Sequence, residues 1–362
     1  MHSINQKIIL IFSSIISLLP SFIYSSNKTT NIPLEDKLII LCSDAPNKQL
    51  RIFCEQLHKS DIIARKYLEV AALRLEPKSA QECFNFLCMC KYFRGKVKKG
   101  ICILPNGSHL KKSVRKEFRM LSDKEREKFN KILRIMKENG DYDKFANQHK
   151  TVVVEGGAHS GPAFLLWHRE FLKRFEITMR LYDPSISLPY WDSVLDSKIP
   201  KSADSYLFSN EACPYNRSWI LPEIIHGLVH VFCGGDMLNV STSANDPIFY
   251  YHHCFMDFIW EMWRYKNQNR TERESQYPPD NQECASDDHY ANATMEPFNN
   301  LVNIDALKNV YTDLLYEYAP RPNCDNITDC GSKYLFCHRS HGKPECVAKI
   351  KIGGNCTGFE SK

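Results

Sequence analysis

Two histidines spaced four residues apart begin the stretch of the chain that most constrains its fold, residues 226–263. His226 and His230 lie in the run H-G-L-V-H. On a helix, side chains with this spacing point from the same face, so both imidazoles can bind one metal ion. A glycine rather than a glutamate follows His226, which excludes the H-E-x-x-H pattern of zinc proteases. The sequence therefore predicts a helix that contributes two ligands to one ion.

A second helix is predicted to begin in the same stretch. Asp246 is a favoured N-cap residue, and Pro247 suits the first helical position. His252 and His253 follow one to two turns later, among aromatic residues. Successive helix residues point about 100° apart, so one ion cannot take both imidazoles from a regular helix. We expect one of the pair to complete a three-histidine site, and helical spacing does not decide which.

A second set of histidines lies upstream, at His149, His159 and His168. His159 is in a glycine-rich loop, and Pro162 opens a predicted long helix that carries His168. Neutral imidazole suits copper, zinc, nickel and iron, whereas magnesium and manganese prefer oxygen ligands. No paired carboxylate stands at the inferred ligand positions, which argues against a carboxylate-bridged di-iron site. Two sets of three imidazoles predict two metal ions held side by side.

These residues carry a specific resemblance to a known family. The matching features are the nine-residue step from His159 to His168, the run F-x-x-W-H-R at 164–169, H-x-x-x-H at 226–230 and D-P-x-F-x-x-H-H-x-x-x-D at 246–257. At these positions the sequence resembles the tyrosinase family of type-3 dinuclear copper proteins, over roughly residues 110–320. The cysteine-rich ends look like those of nematode members.

The resemblance implies a cofactor of two copper ions. It assigns the first ion to His149, His159 and His168, and the second ion to His226, His230 and His253. It further implies a copper monooxygenase that uses molecular oxygen to hydroxylate phenols beside the existing hydroxyl and to oxidise o-diphenols to o-quinones. Its substrates would be small phenols or tyrosyl side chains.

The neighbours of the predicted ligands receive weaker assignments. His252 would line the mouth of the substrate pocket. Asp257 follows His253 by four residues and is a candidate acceptor that fixes the tautomer of a ligand. The alternative, a buried helix carboxylate satisfied by arginine or backbone, remains open. Arg169, beside His168, is interpreted as structural.

Two positions depart from the family pattern. Many tyrosinases have asparagine directly after the first histidine of the second set, where it helps to orient a water that deprotonates the phenol. This chain has Gly227 there, so the resemblance predicts catechol oxidation more firmly than monophenol hydroxylation. Fungal, plant and mollusc members have a cysteine, thioether-linked to the second ligand, two residues before that ligand. This chain has Gly157, so that crosslink cannot form.

The fold predicted from these patterns is mainly α, with the metals inside a helix bundle and disulfide-rich extensions at both ends. The capping box Ser122-Asp-Lys-Glu125 predicts a helix that Gly140 ends, and apolar patterns predict further helices at 56–75 and 304–318. The expected organisation is a signal peptide (1–26), a cysteine-rich N-terminal region (27–108), a tyrosinase copper-binding domain (109–322) and a small cysteine-rich module (323–362). The module loosely resembles the sea-anemone-toxin (ShK) type but has five cysteines. Six cysteines at 42–102 predict three disulfides whose connectivity is not readable.

Several features predict a secreted glycoprotein. An apolar run inside residues 1–26 reads as a signal peptide, and no other stretch is apolar enough to span a bilayer. The fifteen cysteines are many for a cytosolic enzyme. Glycosylation acceptors occur at Asn27, Asn106, Asn216, Asn239, Asn269, Asn292, Asn326 and Asn355. The net charge of +5, with mixed signs, gives no reason to expect a nucleic-acid partner.

Two other classes compete with a secreted phenoloxidase that crosslinks a cuticle or matrix or forms pigment. A haemocyanin-like oxygen binder would share the copper pair but screen it from phenols. The single domain and the cysteine modules argue against that class. A catalytically inactive tyrosinase-related protein would bind zinc or act through its modules.

Overall fold

The computed structural model describes residues 77–152, 157–196, 220–282, 285–324, 329–339 and 343–349. From Ser79 onward these residues belong to one compact unit. The expected signal peptide, a helix expected at 56–75, and the cysteines at positions 42, 54 and 356 lie outside the described residues. The described part is mainly helical, which confirms the predicted fold class.

Seven α-helices are described. Their bounds are Phe86–Cys90 (α1), Asp123–Glu138 (α2), Asp141–Val152 (α3), Phe164–Tyr182 (α4), Ile220–Cys233 (α5), Ile248–Asn267 (α6) and Arg270–Ser275 (α7). The strands form three two-stranded sheets: Lys96–Lys98 (β1) with Ile101–Ile103 (β2), Ser113–Arg115 (β3) with Tyr316–Tyr318 (β4), and Leu335–His338 (β5) with Glu345–Ala348 (β6). The helices therefore supply the framework.

Helix α2 begins where its sequence signature predicts. The Ser122 hydroxyl accepts a hydrogen bond from the Glu125 amide, and the Glu125 carboxylate accepts one from the Ser122 amide. This reciprocal pair satisfies two amides that the first helical turn leaves without partners. Gly140 follows the helix with a φ of 80°, a backbone conformation that suits glycine. Asp141 then begins α3, which carries His149.

Helices α4 and α6 pack against each other at the centre of the bundle. Both are rich in buried residues, and aromatic rings fill their interface. Phe175 of α4 stacks on Tyr250 of α6 with ring centroids 3.7 Å apart. Phe171 of α4 also stacks on Tyr250, with centroids 5.8 Å apart. Helix α6 begins near the predicted proline, and an Asp246 carboxylate oxygen accepts a hydrogen bond from the Ile248 amide at 3.0 Å. This rigid pair places His168 opposite His253.

The segment 304–318 differs from its expected form. Its apolar pattern predicts one α-helix, but the structure has a short 3-10 helix at Asn303–Leu307 and a short π-helix at Tyr311–Leu315, followed by strand β4. Strand β4 pairs in parallel with β3, more than 200 residues earlier in the chain. This pairing directs two tyrosine side chains of β4 toward the core, where α6 supplies a carboxylate. A distant partner therefore overrides the local pattern.

Four disulfides tie the described ends of the domain. They join Cys83 to Cys88, Cys90 to Cys102, Cys324 to Cys337 and Cys330 to Cys346. The C-terminal bridges pack in a buried cluster with Leu195, Leu335 and Ala348. Among the residues that the structure describes, no helix combines the length and the apolar character needed to cross a membrane.

Candidate metal centre

Three histidines from separate segments form the first histidine cluster, which comprises His149, His159 and His168. Helix α3 supplies His149, a loop supplies His159, and α4 supplies His168. Each offers one ring nitrogen, and these nitrogens all lie within 4.8 Å of one another. The Nε2 atoms of His149 and His159 are 3.1 Å apart. The structure therefore brings together the three histidines that were predicted for the first ion.

The second histidine cluster comprises His226, His230 and His252, again with one nitrogen from each within 4.8 Å of the others. His253 lies between the two clusters. Its ring stacks parallel to that of His168, with centroids 4.1 Å apart, and its Nε2 lies 3.2 Å from Nε2 of His226. The two clusters therefore meet at His253, which borders both.

Backbone carbonyls orient three of these imidazoles. Nδ1 of His168 donates to the Phe164 carbonyl at 2.8 Å, Nδ1 of His226 to the Glu223 carbonyl at 3.0 Å, and Nδ1 of His230 to the Met237 carbonyl at 2.8 Å. A carbonyl only accepts, so the proton of each neutral ring must be on Nδ1. Nε2 then carries a lone pair. Backbone partners of this kind commonly hold the metal-binding histidines of proteins.

Burial keeps these rings neutral. It lowers the pKa of His149, His168, His226, His252 and His253 well below the ordinary value, and the neighbouring histidines lower it further. Burial likewise lowers the pKa of His230, to about 4. A neutral imidazole is the form that binds a metal ion. The site is therefore ready to bind metal at neutral pH without first losing protons from these rings.

The donor set fits a pair of imidazole-bound ions. Nε2 of His168 and Nε2 of His230 are buried and have no hydrogen-bond partner in the described structure. Buried polar atoms without partners are costly, and a bound cation would satisfy them. Two nitrogens on one tetrahedral ion, with bonds of about 2.0–2.1 Å, lie about 3.3 Å apart. The His149–His159 and His226–His253 separations of 3.1 and 3.2 Å agree with that value.

Two observations bear on the choice between His252 and His253. His252 belongs to the more compact group with His226 and His230. However, its Nε2 donates to the His226 carbonyl at 3.1 Å, which leaves only Nδ1 for a metal. His253 instead directs Nε2 at Nε2 of His226 with a ligand-like separation. The hydrogen bond from His252 to the His226 carbonyl favours a supporting role for His252 beside His226. His253 stays the predicted ligand.

Two phenylalanines pack across both halves of the site. The ring of Phe164 lies 4.8 Å from both His168 and His226, measured between centroids. The ring of Phe249 lies 4.7 Å from His149 and 4.1 Å from His253. Both side chains are buried. Their rings pack against the imidazoles of both halves and restrict rotation of the histidine rings.

Asp257 does not support a ligand histidine, which corrects one of the two interpretations of its position. Its carboxylate accepts hydrogen bonds from Nε of Arg169 at 2.8 Å and from the hydroxyls of Tyr316 at 2.7 Å and Tyr318 at 2.6 Å. Nδ1 of His253, which it was expected to accept from, has no partner in the described structure. Asp257 is the buried structural carboxylate of the alternative interpretation, and Arg169 is structural too.

The two glycines that depart from the family pattern differ in their surroundings. A Cβ added to Gly227 would have no atom within 4 Å beyond its own chain neighbours and helix. A Cβ on Gly157 would lie 2.7 Å from the backbone oxygen of Asp288 and 3.3 Å from Cβ of Ala163. Distances below 3.0 Å require the backbone to move. The chain therefore has room for a side chain at Gly227 but not at Gly157.

Two residues that the sequence analysis missed contact the His159 loop. A Glu223 carboxylate oxygen accepts from the Ser160 amide at 2.8 Å and lies 3.5 Å from Nδ1 of His159. Nδ1 of His289 accepts from the Ala163 amide at 3.4 Å. Glu223 stands three residues before His226, so helical spacing could have indicated it. His289 follows a remote polar segment and gave no such signal.

Comparison with known proteins places this centre in a family. The model of the common central domain of tyrosinase matches residues 139–218 and 208–266, which contain the six histidines of the two clusters and His253. The chain is also 39% identical, over 88% of its length, to tyrosinase-like protein tyr-3 from Caenorhabditis elegans. The chain belongs to the tyrosinase family. As a family member it is a type-3 copper protein.

The chain is similar to further proteins. Over 62% of the chain, this tyrosinase-family protein is 28% identical to tyrosinase-like protein 1 from Margaritifera margaritifera. Over 42% it is 25% identical to tyrosinase from Streptomyces antibioticus, of which it covers 83%. The chain spans 57% of the length of each of the first two relatives. The functional unit of octopus hemocyanin is a more distant solved structure, with a TM-score of 0.40 and 16% identity over 57% of this chain and 68% of that one.

Proposed function

We propose that the protein is a secreted phenoloxidase that uses two copper ions and molecular oxygen to oxidise o-diphenols to o-quinones. The observation that carries the proposal is the meeting of two groups of histidines in a member of the tyrosinase family. Nε2 of His149 lies 3.1 Å from Nε2 of His159, and Nε2 of His226 lies 3.2 Å from Nε2 of His253. Its substrates are small phenols or tyrosyl side chains. The products would crosslink an extracellular matrix or form pigment.

The residues of the site bind and orient the cofactor. His149, His159 and His168 would hold one copper ion, and His226, His230 and His253 the other. When bound, the copper pair would supply the electron transfer by which two catechols and one O2 give two o-quinones and two waters. The backbone carbonyls that receive Nδ1–H of His168, His226 and His230 keep Nε2 free for binding. Phe164 and Phe249 pack against the imidazoles of both halves and restrict rotation of the histidine rings.

The site favours diphenols over monophenols. A monophenol must lose its hydroxyl proton, and a positioned base is needed for that transfer at neutral pH. Gly227 has no side chain that could orient a base water beside His226. A catechol is already hydroxylated, so its oxidation omits the ring hydroxylation. We therefore expect L-DOPA to be a better substrate than tyrosine.

Secretion and glycosylation are part of the proposal. The apolar segment within residues 1–26 and the acceptor asparagines support export. Asn106, Asn239, Asn269 and Asn292 are exposed in the structure, so an oligosaccharide transferase could reach them without unfolding the domain. The four disulfides are consistent with an oxidising compartment.

The test is expression of the full chain through a secretory pathway with added copper. Metal content by mass spectrometry should give two copper ions per chain, and the medium should contain glycosylated protein. Purified protein should oxidise L-DOPA faster than it hydroxylates tyrosine, measured side by side. The matched pair of variants is His168→Ala, which should lose copper and activity, and His109→Ala, an exposed histidine outside the site, which should keep both.

Each contrary outcome has a distinct meaning. Zinc in place of copper would indicate a catalytically inactive relative. Two coppers with reversible oxygen binding and no catechol turnover would indicate an oxygen carrier. Tyrosine hydroxylation as fast as L-DOPA oxidation would refute the argument from Gly227 alone.

A further inference from the structure

Residues from other parts of the chain fix the conformation of the loop that carries His159. Ser160 has a φ of 66°, a left-handed conformation that non-glycine residues rarely adopt unless surrounding contacts enforce it. On one side the Glu223 carboxylate accepts from the Ser160 amide at 2.8 Å. On the other side the His289 ring lies so close to Gly161 that an added Cβ would fall 2.2 Å from its Nδ1. The conformation of this loop therefore depends on residues far away in the chain.

Glu223 contacts one histidine of each half of the centre. Its backbone carbonyl accepts from Nδ1 of His226 at 3.0 Å. Its side-chain Oε1 lies 3.5 Å from Nδ1 of His159, whose Nε2 points toward His149. A metal on Nε2 of His159 would leave the proton on Nδ1, which faces this carboxylate oxygen. Such carboxylate–histidine–metal arrangements fix the ring and raise its basicity.

We infer that Glu223 is a positioning residue for the first copper ion, which it supports through His159 although it stands on the helix that binds the second. This inference deepens the proposed function and rests only on its copper content. In many relatives a thioether fixes the second ligand of the first ion, and Gly157 cannot provide one. Glu223 holds His159 in this chain through two contacts, the amide of Ser160 and the ring nitrogen Nδ1.

The two roles of Glu223 can be separated by mutation because only one uses the side chain. Glu223→Ala removes the carboxylate from His159 and Ser160 but keeps the backbone carbonyl that receives Nδ1–H of His226. The first ion should therefore bind about 10- to 100-fold more weakly, the usual cost of losing an outer partner of a ligand. The second ion should bind as in the wild type. Glu223→Gln keeps an acceptor for Ser160 but no charge for His159. Its affinity for the first ion should therefore lie between those of the wild type and Glu223→Ala.

The measurement is copper retained per chain in dialysis against a graded competing chelator. Glu223→Ala should lose one ion at a chelator concentration about 10- to 100-fold lower than the concentration at which the wild type loses its first ion, and should keep the other ion as the wild type does. Glu127→Gln, an exposed glutamate on α2, is the matched control and should keep two. Adding Glu223→Ala to His159→Ala should cause no further loss of copper, because the positioning residue then has no ring to position. Thermal unfolding and circular dichroism check that each variant is folded.

The outcomes separate this inference from the proposed function. Two ions retained by folded Glu223→Ala and Glu223→Gln across the wild-type chelator range would overturn the inference. Equal weakening of both ions would also overturn it, because only the first is supported by the side chain. If Glu223→Ala does not fold, Glu223→Gln decides. A wild type with two coppers and no catechol turnover would refute the phenoloxidase activity. The copper retained by the Glu223 variants would still test the inference. A wild type without copper would refute both.

Discussion

Replacing Asp257 by asparagine should destabilise the fold without weakening copper binding. The Asp257 side chain is 2% exposed and faces Arg169, which is fully buried. Although burial favours the neutral acid, Arg169, Arg115 and the hydroxyls of Tyr318 and Tyr316 hold the pKa of Asp257 below its ordinary value. The wild-type group is therefore ionised at neutral pH. Asparagine has nearly the same shape, so the change removes charge rather than volume.

The expected loss follows from the contacts. Asparagine has one acceptor oxygen, whereas the carboxylate accepts from Arg169 and two tyrosines. Its amide group must face at least one of these donors. Breaking one partner of a buried ion pair costs about 3–5 kcal/mol, and a hydrogen bond to a charged group is worth about 1.5–3 kcal/mol. Arg169 keeps Glu261 as a second partner, which places the loss at the lower end, about 3 kcal/mol.

The assay is urea unfolding of the metal-free protein with its disulfides intact, combined with the chelator titration of copper. The midpoint should fall at an unchanged slope. The control is Asp143→Asn, which removes an exposed ion pair with Lys137 at 3.6 Å and should cost less than about 1 kcal/mol. A loss below about 1 kcal/mol for Asp257→Asn, together with a tenfold or greater loss of copper affinity, would show that Asp257 supports His253 after all.

Three further predictions concern the site and its surroundings. His253→Ala should lose one copper and nearly all diphenol oxidation, whereas His252→Ala should keep both ions with any loss in substrate binding or turnover, as counted by metal analysis and kinetics. Gly227→Asn should raise the rate on tyrosine relative to L-DOPA, because its Cβ meets open space and the amide can orient a base water. Burial raises the pKa of Glu117 from 4.5 to about 7, so the wild type should lose about 3 kcal/mol of stability as pH rises from 4.5 to 7. Glu117→Gln cannot lose that proton, and unfolding at several pH values should show its stability relative to wild type increasing over this window.

Controls make these three outcomes decisive. If His252→Ala loses a copper and His253→Ala does not, the ligand assignment is reversed. Gly227→Ala should leave the tyrosine-to-L-DOPA ratio unchanged, and a rise as large as that of asparagine would exclude the amide as its cause. A stability difference between Glu117→Gln and the wild type that is constant with pH would show that Glu117 does not titrate in this range.

Helical spacing was sufficient to predict the local parts of the centre. The capping box at Ser122 starts α2 as expected, and His226 and His230 share one helix. Such features depend on residues within four positions of each other, because backbone geometry alone fixes which side chains share a face. The mainly helical fold follows from the same short-range rules, whereas the choice of the six ligands came from the resemblance to the tyrosinase family.

Helical spacing did not predict contacts between residues that are far apart in the chain. Asp257 lies four residues after His253, yet it binds Arg169 and the tyrosines of β4 because packing of α4, α6 and β4 directs their donors at it. The pairing of β3 with β4 likewise makes the last three residues of the predicted helix at 304–318 a strand. The periodicity of the sequence does not indicate these contacts, since they form only when segments far apart in the chain pack together.

The sequence by itself determined that His226 and His230 share one helix face, because a helix repeats its geometry every 3.6 residues. The resemblance to the tyrosinase family assigned the six predicted ligands to two ions. Only the tertiary structure decided how the two groups meet. It stacks His253 on His168, seats the His289 ring over Gly161 and brings Glu223 to His159, 64 positions away. The physical reason is that a side chain's neighbours across a core depend on how whole elements pack, and packing is a property of the folded chain rather than of any local stretch.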